Sequence, residues 1–124
     1  MATQGTILWS ELMTNEVQKA KDFYGKSLGV TFEQMPSPGP EYWLAMIDGK
    51  PAWGIIDMTR KPGGPSGWFT YMSVDDVDSL VAQAEASGAK LCTPIFDIPT
   101  VGRIAVLEDP TGAIIGWMKP EMNE

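Results

Sequence analysis

The sequence predicts an α+β protein made of two βαβββ modules that pair into a mixed sheet. Three observations carry that prediction. In the first, Leu8, Ser10 and Leu12 alternate with Trp9, Glu11 and Met13, the period of a half-buried strand. In the second, the spacing then turns helical through Val17, Ala20, Phe23 or Tyr24, and Leu28. In the third, Trp68–Ala89 repeats the plan. Phe69, Tyr71 and Ser73 alternate with Thr70, Met72 and Val74, and a helical stripe follows at Val77, Leu80, Val81 and Ala84. Val17 thus answers to Val77. Asn15, with Gln18 as its box partner, and Asp75 are read as the helix caps. Gly29 and Gly88 are read as the left-handed stops.

Taken in order, Thr6–Met13 reads as a strand, Asn15–Leu28 as a helix and Val30–Gln34 as a strand. Pro36–Pro40 is a loop and Glu41–Ile47 a third strand. Asp48-Gly49 is a tight hairpin signal leading into a strand at Ala52–Met58. Residues 59–66 have linker composition, so the modules are 6–58 and 67–118 within one domain spanning 1–124. The second module reads Trp68–Ser73 strand, Asp76–Ala86 helix, Lys90–Pro94 strand, an irregular Ile95–Val101, then Arg103–Glu108 and Ala113–Met118 as strands. Asp109–Gly112 makes the last turn, with proline at its second position. Two short helices cannot cover both faces of eight strands. They belong on one outer face, and the other face is left curved and open.

At 124 residues the chain fits one domain with a real core. A net charge of −7 argues against nucleic acid and against anionic membranes, which both select basic surfaces. No apolar run approaches the ~20 residues of a membrane helix, and the N-terminus lacks the basic-then-apolar order of a signal peptide. Cys92 is the single cysteine, so no internal disulfide forms and the cytoplasm is the expected compartment. Cys92 is read as a buried, inert thiol on a strand. The absence of histidine removes Ser-His-Asp and Cys-His chemistry and any histidine-ligated zinc. No phosphate-binding or dinucleotide fingerprint occurs, so no cofactor is implied.

Trp9, Glu11, Leu12, Thr14, Ala20, Phe23, Tyr24, Leu28 and Gly29 together resemble the opening of vicinal oxygen chelate proteins. That superfamily includes glyoxalase I, bleomycin-resistance proteins, fosfomycin-resistance enzymes and extradiol dioxygenases. Trp68–Asp78, Val101–Arg103 and Asp109–Ala113 fit the same pattern in order and spacing. The resemblance implies an eight-stranded cup around one site, and a homodimer. It also implies four metal-ligand positions, one from the first and last strand of each module, usually filled by His, Glu or Gln. Here those positions hold Trp9, Gly54, Phe69 and Gly116. None offers a side-chain ligand, and slipping the alignment rescues only Glu11, so no metal site is expected.

If the family's ligand positions point inward, Trp9, Glu11 and Met13 line the cup from one strand and Phe69, Tyr71 and Ser73 from another. Gly54 and Gly116 then leave floor space for a planar ligand. Three roles fit Glu11: general base, ligand anchor, or structural acceptor. Tyr71 is either a packed aromatic or a general acid. Arg103 fits an anion contact at the rim or a salt bridge. Trp53 and Trp117 fall on the opposite strand face, under the helices, and alternation does not decide between Tyr42 and Trp43. Asp75, Asp76 and Asp78 read as helix N-terminal charge. The leading functional reading is metal-independent binding of a planar or aromatic small molecule. The alternatives are a metal-free lyase or isomerase with Glu11 as base, and a non-binding dimeric scaffold.

Overall fold

A computed structural model describes residues 3–36, 39–58 and 66–121. The expected linker falls on 59–65, outside the described residues, apart from Ser66. The element order is β1 (Ile7–Thr14), α1 (Val17–Leu28), β2 (Thr31–Met35), β3 (Tyr42–Ile47), β4 (Lys50–Asp57), β5 (Gly67–Ser73), α2 (Val77–Ala86), β6 (Lys90–Leu91), β7 (Phe96–Ile98), β8 (Gly102–Glu108) and β9 (Ile114–Pro120). The class is α+β, with parallel and antiparallel pairs mixed and the paired βαβββ plan present. Among the described residues there are nine strands, one more than expected. The chain leaves the sheet after Leu91, and Phe96–Ile98, read as irregular, returns to pair with β8. Two compact units divide the chain: Trp9–Phe69, and Met1–Leu8 with Thr70–Glu124.

In the first unit the strand order is β2-β3-β4-β1. The β2/β3 and β3/β4 pairs are antiparallel, whereas β1 runs parallel to β4 with Glu11 opposite Gly54. Asp48 and Gly49 both take positive φ, 52° and 74°, the geometry of a two-residue hairpin turn. The strand after the turn starts earlier than expected, at Lys50. Pro51 lies within it, paired with Met46 beside a register shift between Ala45 and Met46. Helix α1 starts at Val17 with Glu16 at its N-cap and no side-chain cap, so Asn15 does not cap it. Thr14 Oγ1 accepts from Glu16 N–H instead, at 3.0 Å, and Gln18 bonds Asp22 rather than closing a box. Gly29 ends the helix in the left-handed region at φ 73°, as the sequence predicts. Tyr24, not Phe23, faces inward: its ring meets Trp53 at 5.2 Å and Trp68 at 5.9 Å, while Phe23 and Leu28 are exposed.

In the second unit the order is β5-β9-β8-β6, with β7 also on β8. β5 runs parallel to β9, and Tyr71 pairs with Gly116. Asp76, one residue later than expected, caps α2 by accepting from Ser79 N–H at 3.1 Å. Val77 and Val81 of α2 bury against Val74, Ala105 and Leu107, with Leu80, Leu91, Ile115 and Trp117 around them. Trp53 and Trp117 therefore both pack on their helix sides, as alternation required. Cys92 is exposed rather than buried, because it lies just beyond the end of β6. Among the described residues no helix is long and apolar enough to cross a membrane.

Candidate functional site

The first unit holds a buried carboxylate. Glu11 is 5% exposed in the middle of β1, on the strand face it shares with Trp9 and Met13. A carboxylate so far from water needs hydrogen-bond donors, and one comes from two strands away. Tyr42, the first residue of β3, donates its hydroxyl proton to Glu11 Oε1 at 2.8 Å. The Trp9 indole N–H donates in turn to the Tyr42 oxygen at 2.7 Å.

Gly54 makes this reach possible. It lies opposite Leu44 on β3 and opposite Glu11 on β1, so the Tyr42 side chain must cross β4 at that point. A Cβ at Gly54 would collide with the Tyr42 hydroxyl and would sit 2.6 Å from Cζ and 2.7 Å from Cε1. The space that the sequence suggested for a ligand above Gly54 is therefore taken by the Tyr42 ring. The neighbouring Trp43 points the other way. Its indole N–H donates to Glu41, and Lys21 of α1 stands 3.2 Å from its ring centroid.

The remaining sequence candidates fall into separate settings. Met13 is half-buried, and Phe69 is buried at the end of the first unit. Tyr71 and Ser73 are buried in the second unit, where the Ser73 backbone bonds Thr6 O and Gly5 N at 2.8 Å each. Gly116 is buried between Tyr71 and Val106. Arg103 does not present a free guanidinium. It makes a two-pronged bond to Asp78 of α2 at 2.9 Å and a third bond to Asp97 of β7 at 2.8 Å. The Arg103 hydrogen bond holds the Asp78 carboxyl below its ordinary range. Asp78 is thus a clasp residue as well as first-turn charge. The glycine before Arg103 has its own reason: at φ 154°, a Cβ on Gly102 would run into the Lys119 carbonyl.

The residue that sequence reasoning missed is Tyr42. Alternation alone left its direction open. The available signal was Gly54, since a glycine inside a strand marks a close approach by another group.

The family's metal does not fit these residues. Trp9 and Phe69 carry no ligand atom suited to a divalent cation, and Gly54 and Gly116 carry no side chain. Glu11 is the one carboxylate beside them on β1, and its Oε1 is engaged by Tyr42. Among the described residues no group of three or more His, Cys, Asp or Glu could hold a metal ion.

The profile of the Glyoxalase/Bleomycin resistance protein/Dioxygenase superfamily matches residues 6–116, and the chain belongs to that superfamily. Over 116 residues it is 37% identical to CFP32 of Mycobacterium tuberculosis, which carries a provisional glyoxylase designation; the match covers 94% of this chain and 44% of that protein. Over 134 residues it is 30% identical to the anthracycline biosynthesis protein DnrV of Streptomyces peucetius, covering 96% of this chain and 49% of the relative. The chain thus spans about half the length of the curated relatives it matches. Among solved structures, methylmalonyl-CoA epimerase of Streptomyces coelicolor, in complex with 2-nitronate-propionyl-CoA, aligns with a TM-score of 0.72 at 15% identity, over 97% of this chain and 100% of that one. The methylmalonyl-CoA epimerase of Mycobacterium tuberculosis gives 0.66 at 17% identity, over 98% and 93%. At those identities the likeness is one of fold.

Proposed function

We propose that the chain binds a planar or aromatic small organic molecule without a metal, and that Glu11 anchors it. The observation that carries this reading is the buried Glu11 carboxylate, set beside Trp9 and oriented by the Tyr42 hydroxyl. Burying a charge is costly unless it is hydrogen-bonded, and a strand interior offers many cheaper residues. Trp9, Met13 and Phe69, all in the first unit, supply apolar surface for a flat ligand. Relatives named for anthracycline biosynthesis support a fused-ring ligand. A homodimer and a cytoplasmic location belong to the same reading. Sedimentation at micromolar concentration tests the first: a monomer there would refute it.

The test is fluorescence titration with a hydroxyanthraquinone probe in the presence of a chelator. Wild type should bind it. Glu11→Gln should weaken binding by about tenfold, roughly 1.4 kcal/mol, the scale of one hydrogen bond to a charged group. A mutant that binds like wild type but melts many degrees lower would make Glu11 structural and end this reading. The second reading is a metal-free enzyme with Glu11 as general base. It is favoured by the Tyr42 hydrogen bond, which stabilises the ionised form that a base requires. Recovery of the probe or of a co-purified compound unchanged distinguishes binding from turnover.

A further inference from the structure

We infer that Tyr42 is the positioning residue of this site: it fixes Glu11 as an ionised hydrogen-bond acceptor, and Trp9 fixes the direction of that bond. The inference rests on the reading of Glu11 as the working group, but its test needs no ligand, so the two can fail separately.

The argument is one of donor and acceptor inventory. An indole N–H can only donate. Trp9 Nε1 lies 2.7 Å from the Tyr42 oxygen, so that oxygen must accept there. A phenol has one proton, and it points at Glu11 Oε1, 2.8 Å away. Glu11 Oε1 accepts that proton. The observed order of indole, phenol and carboxylate thus ends on an accepting Glu11. A hydrogen bond donated to a carboxylate favours its charged form, whereas burial opposes it. Among the described strands around it, β3 carries no charged residue, and β1 and β4 carry, besides Glu11, Lys50 and Asp57. Lys50 pairs with Ile47 at the far end of β4, and Asp57 pairs with Thr14, three residues along β1 from Glu11.

The test is a pH titration of the intact chain carrying ¹³C-labelled glutamate carboxyls, with the Glu11 resonance assigned from Glu11→Gln. Tyr42→Phe removes the donor and keeps the ring over Gly54. Its Glu11 midpoint should rise by about one unit, a tenfold change in proton affinity. Trp9→Phe should shift it in the same direction by less, because the phenol is no longer polarised. A merely structural tyrosine would lower the melting temperature and leave the midpoint alone. An unchanged or lower midpoint in Tyr42→Phe would overturn the inference. If that variant does not fold, an unchanged or lower midpoint in Trp9→Phe does the same.

Discussion

The two helices face the same task and meet it with different chemistry. α2 buries Val77 and Val81 into an aliphatic core, with Val74, Ala105 and Leu107 all under 5% exposed. Its N-terminus is capped by Asp76 and clasped by the Asp78–Arg103 pair. α1 has no buried residue, no side-chain cap and no acid in its first turn. It rests on rings, with Tyr24 against Trp53 and Trp68, and Trp53 against Phe32. Aliphatic side chains interlock at high density, whereas edge-to-face rings make fewer, directional contacts. Trp68 stays 50% exposed and Phe23 61%. The unit whose helix buries no residue is also the one that holds the buried carboxylate.

The contrast breaks most sharply at Leu107, which is 1% exposed. Leu107→Ala should cost about 2–5 kcal/mol in denaturant unfolding, since a fully packed site leaves a cavity. Truncating the exposed Leu28 on α1 should stay within about 0.5 kcal/mol, the range of ordinary surface changes. Equal losses at the two positions would erase the distinction. Next in size is Gly54→Ala, where overpacking should cost about 1–3 kcal/mol. It should also expel Tyr42 and so detach Trp9 from Glu11. A crystal structure of that variant with the Tyr42–Glu11 bond intact would contradict the role given to Gly54. The smallest effect concerns the caps. Asp76→Ala should destabilise by about 1 kcal/mol. Asn15→Ala should do almost nothing, because Asn15 is not the N-cap. Thermal unfolding of the two variants side by side checks this.

Most of the fold was legible because it rests on period. Strand alternation and helical spacing located both helices, and Asp48-Gly49 and Gly29 marked turns that only positive φ allows. The two N-caps were misread by one residue each, since several Asp, Asn, Thr and Glu residues cluster there and local hydrogen bonds choose among them. Phe96–Ile98 was missed as a strand because three residues carry no readable period. The site was half legible. Glu11 stood out as a charge in an apolar strand, but Tyr42 reaches it by crossing a third strand, and no spacing along the chain encodes that. Arg103 was open between two roles until its distances to Asp78 and Asp97 were known.

The Asp48-Gly49 turn bears on the order of folding events. It closes β3 onto β4 with two residues, so that hairpin is a local contact that forms in about 1–10 μs. The parallel β1/β4 ladder cannot form that way. It joins strands separated by a helix and two other strands, and the entropy of closing so long a loop is lost before any bond rewards it. Glu11 lies on that late ladder, while Tyr42 and Gly54 lie on the early hairpin. The platform that receives the carboxylate would thus assemble before the carboxylate arrives. Kinetic φ-values near one for substitutions at the turn and near zero for Leu12 on β1 are the expected signature, and the reverse order would refute it.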